Sequence, residues 1–315
     1  MAADPAIGPL VVAAGDALID LILRPDGSVT PVPGGGPYNA ARAIGRLGVR
    51  VAFLGGLSDD RFGRMLEAGL SAEGVSLELA HRSSLPTTLA MAEIGTDGSA
   101  RYRFYVDGTS APAVPAERGA GLPGDTAALL TGTLGLVLEP LATTLEGVVA
   151  GLPESVMLVL DLNARPVVTP DPAAWRARVE RLVPRVDVVK ASVEDLAFLR
   201  PRDAPAAAAR WIAARGSRVV LVTDGGGPVR VLVGGAEHEV PPIPATVVDT
   251  VGAGDTFAGA FLACLVREGS TRDDLGDGDR VLRAARFAMG AAALVCGRAG
   301  ADPPTLAELG GWPAA

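Results

Sequence analysis

The chain has 315 residues, with 28 Lys and Arg against 36 Asp and Glu, and a formal net charge of -8. A chain of this length can bury a large core, which predicts one large α/β domain or two domains. Net acidity without a block of basic residues argues against binding to nucleic acid or an anionic membrane, because both require a basic face. Any phosphate chemistry must therefore use local positive groups.

A single lysine, Lys190, excludes two classes of phosphotransferase. A P-loop needs lysine followed by Ser or Thr after a glycine loop, whereas Lys190 is followed by Ala191. Protein kinases need a His-Arg-Asp loop, but the only His-Arg pair in the chain is followed by Ser83. The 2 Cys and 2 His lack the spacing of a zinc site or of a Cys-x-x-Cys pair.

The N-terminal sequence does not have the pattern of a secretory signal. It lacks a basic segment followed by an apolar stretch and a cleavage site. No apolar run reaches the roughly 18 residues expected of a membrane-spanning helix. We therefore expect a cytoplasmic protein.

Short apolar runs alternate with helix-like segments along the chain. The predicted strands are Leu10–Ala14, Val51–Gly55, Leu134–Leu138, Val156–Asp161, Val186–Lys190, Arg218–Thr223 and Val229–Val233. The predicted helices are Tyr38–Leu47, Arg61–Ala72, Ala173–Leu182, Val193–Leu199, Ala204–Arg215, Asp255–Arg267 and Arg280–Val295. Apolar strands separated by helices predict a doubly wound α/β fold, with a mostly parallel sheet covered by helices on both faces.

Two stretches near the N-terminus depart from this alternation and are predicted to form β-hairpins. Asp26-Gly27 joins two strand-like runs, and Asp97-Gly98 joins two more, because Asp-Gly suits a tight type I′ turn. The strand-like runs are Leu18–Leu23, Val29–Val32, Thr87–Ile94 and Arg101–Val106. We predict a β-sheet lid from residues 16–35 and 85–107, over an α/β core of residues 1–15, 36–84 and 108–315. Ordinary edge hairpins are the alternative.

The segment Asp249-Thr-Val-Gly-Ala-Gly-Asp255 precedes an apolar helix and has the features of an anion site. Two glycines let the backbone approach a ligand, while the first N–H groups and the helix dipole attract negative charge. Asp255 would lie beside that anion and could take a proton from a hydroxyl nucleophile. From the residue type alone, Asp255 could equally be a helix cap.

A second glycine cluster, Gly34-Gly-Gly-Pro-Tyr-Asn39, leads into a predicted helix. The glycines permit close backbone approach, and Asn39 offers a donor and an acceptor to a polyol. A simple loop and helix cap is the alternative interpretation.

Together the two clusters resemble the two signatures of the PfkB (ribokinase-like) family of carbohydrate kinases. The resemblance extends from Ala14-Gly15 to Gly300-Ala301. It implies an α/β domain with a β-sheet lid, transfer of the γ-phosphoryl group of ATP to a sugar or nucleoside hydroxyl with Mg²⁺, and a homodimer formed through the lid. It also implies K⁺ stimulation through a monovalent cation site near Asp249 and Val251.

The same resemblance assigns roles to individual residues. Asp255 corresponds to the catalytic base, and the anion hole corresponds to Gly252, Ala253 and Gly254. The sugar-binding positions are Asp20, Gly34, Gly35 and Asn39. The nucleotide-binding positions are Lys190, Ser192, Thr223, Gly225, Met289 and Ala292.

Two departures from the family pattern leave a non-catalytic alternative open. The Asn-x-x-Glu that organises Mg²⁺ in the family is here Ser192-Val-Glu-Asp195, so Asp195 would act through metal-bound water. Pro228 stands where a glycine is usual after the nucleotide-contacting Thr-x-Gly. A sugar- or nucleotide-sensing protein on the same fold is therefore an alternative, although the complete Asp249–Asp255 motif speaks against it.

The acceptor is expected to be a sugar of the fructokinase type. Asp161-Leu-Asn163-Ala-Arg165 resembles the strand end of fructokinases and 2-keto-3-deoxygluconate kinases, and Arg165 could reach a sugar acid or the transferring phosphate. On the second lid hairpin, Arg103 and Tyr105 share a face and are the predicted sugar contacts. The alternative is that Tyr102 and Phe104 pack a lid interface between subunits, and residue type alone does not decide between the two. A 2-keto-3-deoxygluconate kinase or a nucleoside kinase remains the alternative.

Overall fold

The computed structural model describes residues 8–95, 100–119 and 121–314. Residues 1–5, on which the expectation of no secretory signal rests, and the predicted turn at Asp97-Gly98 lie outside these ranges. Within the described part of the chain, no helix combines the length and apolar composition needed to cross a bilayer.

An eight-stranded sheet forms the centre of the molecule. Its strands in chain order are β1 (Leu10–Ala14), β4 (Val51–Leu54), β9 (Thr126–Gly132), β10 (Met157–Asp161), β11 (Val188–Ser192), β12 (Val219–Thr223), β13 (Val229–Val233) and β14 (Ala236–Val240). Their spatial order is β14-β13-β12-β11-β10-β9-β1-β4. The six strands from β12 to β4 pair in parallel, and β13 and β14 continue the sheet antiparallel.

Helices cover both faces of this sheet, as the apolar strands predict. The helices are α1 (Gly36–Arg46), α2 (Arg61–Ala72), α3 (Leu141–Gly151), α4 (Pro172–Leu182), α5 (Val193–Leu199), α6 (Pro205–Ala213), α7 (Ala253–Arg267) and α8 (Gly278–Cys296). One buried cluster joins α1, α2, α7 and α8 to one face, and a second joins α3 to α6 to the other. Successive residues of β1, such as Val11 and Val12, enter opposite clusters because side chains alternate along a strand. The doubly wound fold is confirmed.

The two predicted hairpins form one separate four-stranded sheet. Its strands are β2 (Leu18–Leu23), β3 (Val29–Gly34), β7 (Leu89–Ile94) and β8 (Ala100–Tyr105), in the order β3-β2-β7-β8. Each hairpin is antiparallel, but β2 and β7 pair in parallel, with Ile19 opposite Leu89. A further short pair, β5 (Gly56–Ser58) with β6 (His81–Ser83), is parallel, and β5 follows β4 in the chain.

The region around residue 134 differs from its prediction. The predicted strand Leu134–Leu138 is wrong: the strand is β9, and residues 133–136 form a 3-10 turn after it. The apolar run continues from Thr126 to Leu138, so composition alone does not place the strand within it. Helix α3 was not predicted, because its two threonines and two glycines have low helix propensity. The mostly exposed edge strand β14 was also missed.

The parallel topology gathers polar residues at one edge of the central sheet. Asp16 follows β1, Thr133 follows β9, Asn163 follows β10, and Ser192 and Thr223 end β11 and β12. The carboxyl ends of parallel strands in an open α/β sheet are where ligands bind.

Candidate active site

A cavity of about 440 Å³ lies between this edge of the sheet, the start of α7 and the small sheet. Of the predicted sugar-binding residues, it is lined by Asp20, Gly35, Asn39, Asn163 and Arg165. Gly34 does not line the cavity but packs closely against Asp20, since a Cβ at Gly34 would be 2.2 Å from the Asp20 Oδ2 atom. Residues from two distant parts of the sequence, 20–39 and 163–165, therefore meet in one cavity.

Asp255 lies at the inner end of this cavity and does not cap α7. The N-cap is Gly252, and the Asp255 carboxylate accepts hydrogen bonds from the side-chain amides of Asn39 (2.9 Å) and Asn163 (3.3 Å). Burial raises the pKa of Asp255 above its usual value of 3.8, while the Asn39 hydrogen bond and the nearby charges of Lys190 and Arg165 partly oppose this. Such a carboxylate is oriented, weakly solvated and suited to accept a proton.

Two polar residues of the cavity were missed by the sequence reasoning, Asp16 and Thr133. The Thr133 hydroxyl donates to the buried Asp16 carboxylate, and burial raises the pKa of Asp16. Thr133 has φ 52°, an uncommon conformation for a β-branched residue and one that is found at ligand sites. The available signal was position, because each residue lies within two residues of the end of a parallel strand.

The small sheet presents a different face to the cavity from the one predicted. Tyr102 and Phe104 line the cavity, whereas Arg103 and Tyr105 do not, and Tyr105 is 49% exposed. The strand alternation was predicted correctly, but alternation does not state which face turns inward. Tyr102 and Phe104 therefore face the cavity in place of Arg103 and Tyr105, and contact of either pair with a sugar stays a prediction.

A second cavity, of about 640 Å³, opens on the other side of the start of α7. It is lined by all six predicted nucleotide-binding residues, namely Lys190, Ser192, Thr223, Gly225, Met289 and Ala292. Apolar side chains, including Phe257 and Val229, make up much of the remaining wall. A cavity with an apolar wall and a polar end suits a purine base with attached phosphates.

Lys190 forms a buried ion pair at the polar end of this second cavity. Its Nζ atom lies 3.0 and 3.1 Å from the two carboxylate oxygens of Asp161, and both side chains are 5% exposed. Burial lowers the pKa of Lys190, but the negative charges of Asp161, Asp195 and Asp255 raise it by a larger amount, so the pKa lies above its usual value of 10.5. A Cβ at Gly254 would lie 2.9 Å from Nζ, which places this charge against the first turn of α7.

The predicted metal-binding positions make backbone contacts. Asp195 forms a capping box with Ser192, and its two carboxylate oxygens accept the N–H groups of Ala164 and Ser192, each at 2.7 Å. Asp249 accepts from the N–H groups of Val251 (3.0 Å) and Gly300 (2.9 Å). Across residues 8–95, 100–119 and 121–314, no group of three or more His, Cys, Asp or Glu is arranged to hold a metal ion.

The two cavities meet at the start of α7. Thr250 and Gly254 line both of them, Asp255 lines the first, and Ala253 lines the second. Gly252 has φ 77°, a left-handed conformation that favours glycine and turns the chain into the helix. A hydroxyl group in the first cavity and a phosphate in the second would thus approach each other beside one carboxylate and one helix N-terminus.

Comparison with known proteins gives consistent results over nearly the whole chain. A family model described as pfkB family carbohydrate kinase matches residues 9–308. A fructokinase of Rhizobium leguminosarum bv. trifolii is 34% identical over 261 residues, which cover 81% of this chain and 79% of that protein. A crystal structure of Xylella fastidiosa fructokinase with bound ATP superposes with a TM-score of 0.86 at 27% identity, covering 96% of this chain and 97% of that one. A Vibrio cholerae O395 fructokinase double mutant, with bound fructose, ADP and potassium ion, gives the same TM-score and identity over 96% and 98% of the two chains.

Proposed function

Because the chain belongs to the pfkB family of carbohydrate kinases, and so transfers phosphate from ATP to a sugar hydroxyl, we propose that its acceptor is fructose and its base is Asp255. The observation that carries the assignment of the site and its base is that the two cavities meet at Thr250 and Gly254, beside Asp255. The first cavity would hold the sugar, and the second the nucleotide. The relatives named fructokinase support the choice of sugar.

Each part of the site has a role in phosphoryl transfer, which depends mainly on positioning and charge stabilisation. Asp255 accepts the proton of the attacking hydroxyl, and Asn39 and Asn163 hold its carboxylate in place. The N–H groups of residues 252–254 and the Lys190 ammonium stabilise charge on the transferring phosphate. The small sheet, acting as the lid, excludes water with Tyr102 and Phe104.

Mg²⁺ is the divalent ion we propose for this site. Each oxygen of Asp195 accepts a single backbone hydrogen bond, so a second acceptor position on each oxygen is left for metal-bound water. When bound, Mg²⁺ supplies charge neutralisation on the phosphate oxygens. Asp195 would orient the hydration shell without direct coordination.

A monovalent cation beside Asp249 and Val251 is also part of the proposal. Asp249 joins its own loop to Gly300, so a cation bound there would stiffen the approach to α7. The potassium-bound V. cholerae structure supports this choice. Turnover is expected to fall when K⁺ is replaced by a bulky organic cation, and unchanged turnover would contradict the assignment.

A homodimer through the lid is the assembly we propose. Strands β3 and β8 are the edges of the small sheet, and unpaired edges invite pairing. Val29 in β3 is 51% exposed and Tyr105 in β8 is 49% exposed. Val29→Asp should shift the mass in light scattering from dimer to monomer; a monomeric parent protein would refute this assembly.

The charges in the sugar cavity favour a neutral ketose over a sugar acid. Three carboxylates, Asp16, Asp20 and Asp255, line it against one cation, Arg165. Arg165 donates to the carbonyls of its own segment, Asn163 (3.4 Å) and Ala164 (3.1 Å). A substrate carboxylate would therefore meet repulsion, which disfavours 2-keto-3-deoxygluconate.

A substrate panel and one pair of variants test the proposal. ADP release is measured with fructose, ribose, 2-keto-3-deoxygluconate and adenosine, and fructose is expected to give the highest kcat/KM. Asp255→Asn should lower kcat by about 10²-fold or more, because general-base catalysis alone contributes about 10²- to 10⁴-fold. Asp277→Asn is the matched control, since Asp277 caps α8 and asparagine caps a helix equally well. Normal turnover by the folded Asp255→Asn protein would refute the mechanism, and binding without product on the whole panel would establish the sensing protein.

The pH dependence provides a separate test of the base. Only the ionised carboxylate can accept the proton, and burial raises the pKa of Asp255. Activity is therefore expected to fall, as the pH decreases, well above the ordinary aspartate value of 3.8. A kcat that stays constant down to pH 4 would contradict this assignment.

A further inference from the structure

The chain that follows α8 folds back against the start of α7. Ala301 lies directly beside Gly252: a Cβ on Gly252 would be 2.5 Å from the Ala301 Cβ and 3.0 Å from its Cα. Ala301 is 6% exposed, so this contact is part of the packed interior. Gly252, the N-cap of α7, is therefore packed against the loop of residues 298–303.

Two arginines of α1 hold this loop in place. Arg42 donates from Nη1 to the Ala301 carbonyl at 2.8 Å, and Arg46 donates to the Pro303 carbonyl and to Asp302 Oδ1. Glu73 contacts both guanidinium groups, at 3.5 Å for Arg42 and 2.9 Å for Arg46. Their side chains are only 14% and 21% exposed, so these charge-assisted bonds are shielded from competing water.

The same helix also positions the base. Asn39, one turn before Arg42, donates to the Asp255 carboxylate at 2.9 Å. Residues three apart on a helix lie on one face. One face of α1 thus contacts α7 in two ways. Asn39 orients the Asp255 carboxylate directly, and Arg42 holds Ala301, which packs against the Gly252 backbone at the N-cap.

We propose that Arg42 is a positioning residue for phosphoryl transfer, which fixes the anion-binding N-terminus of α7 through the Ala301 carbonyl. Arg42 lines neither cavity, so it acts without contact to sugar or nucleotide. The inference rests on the proposed function in taking residues 252–254 as the phosphate cradle. Arg46 secures the same loop at Asp302, one residue further from Gly252.

Steady-state kinetics of Arg42→Ala test this role. We expect kcat to fall about 10- to 100-fold, because a small misplacement of catalytic groups has effects of this size. The KM for fructose should change less than about threefold, since Asn39 and the glycine loop are retained. Low millimolar guanidinium should restore part of the lost kcat by occupying the vacated space.

Arg64→Ala is the matched control. Arg64 lies on α2, and its Nη1 atom also donates to a backbone carbonyl, that of Asp59, at 2.5 Å. This bond is exposed and joins residues only five apart in the chain, without contact to the 298–303 loop among the hydrogen bonds of Arg64. Its loss should change neither kcat nor the response to guanidinium.

Amide hydrogen exchange provides a readout that does not need activity. The Thr256 N–H group donates to the Gly252 carbonyl in the first turn of α7, and its exchange should accelerate in Arg42→Ala but not in Arg64→Ala. Unchanged exchange and unchanged kcat would overturn the proposal, as would a loss of kcat that tracks global unfolding and does not respond to guanidinium. If the parent protein phosphorylates no sugar, the proposed function fails, while the exchange result still decides whether Arg42 positions α7.

Discussion

The Asp161–Lys190 pair allows stability and catalysis to be separated by two variants. In Lys190→Met, the Asp161 carboxylate stays buried without its counter-charge. Both side chains are 5% exposed, so this loss is that of a buried pair, and the free energy of unfolding should fall by about 3–5 kcal/mol at pH 8. The loss should be smaller at pH 6, because burial already raises the pKa of Asp161 to about 7 and the neutral carboxyl needs no partner.

The double variant Asp161→Leu with Lys190→Met removes both charges. Apolar replacement of a buried pair is often neutral or stabilising, so urea unfolding should return to within about 1–2 kcal/mol of the parent. Turnover should not return, because the ammonium that faces the phosphate is still absent; we expect a loss of about 10²-fold in kcat in both variants. Recovery of activity along with stability would show that Lys190 is purely structural. An undiminished stability of Lys190→Met would refute the ion-pair reasoning itself.

Three further predictions concern the sugar side of the site. Burial raises the pKa of Asp20 from 3.8 to about 7, so the stability associated with its neutral form is present below pH 3.8 and lost as the pH rises through 7. Asp20→Asn should therefore gain about 4 kcal/mol in urea unfolding at pH 8, since each pKa unit corresponds to about 1.4 kcal/mol, with the gain vanishing toward pH 4. Gly252→Ala should lower both thermal stability and kcat. Gly27 has a similar φ of 82°, but no atom lies within 4 Å of a Cβ there, so Gly27→Ala should lower only stability. The same kcat in both variants would argue against residues 252–254 as the phosphate cradle. Tyr102→Ala should raise the KM for fructose more than Tyr105→Ala does; the reverse order would restore the face that the sequence predicted.

The glycine helix start and the hairpins could be predicted because each depends on local backbone requirements. The hairpin at Asp26-Gly27 is formed, but the predicted type I′ turn is wrong: that turn needs left-handed φ at both residues, and only Gly27 has it. The start of α7 requires the same freedom at Gly252. Asp16 and Thr133 could not be predicted in this way, because their proximity depends on the parallel order of β1 and β9. The inward face of β8 was likewise set by packing of the whole sheet on the core, for which the strand itself carries no signal.

The parallel pairing of β2 with β7 makes assembly of the small sheet depend on the rest of the chain. Ile19 and Leu89 pair across this sheet, but β3, α1, β4, β5, α2 and β6 separate them in the chain. An isolated hairpin is at best marginally stable in water, so neither half of the sheet is expected to persist alone. The sheet should therefore assemble late and open first, as a cooperative unit whose local unfolding exposes the sugar cavity while the eight-stranded core stays intact.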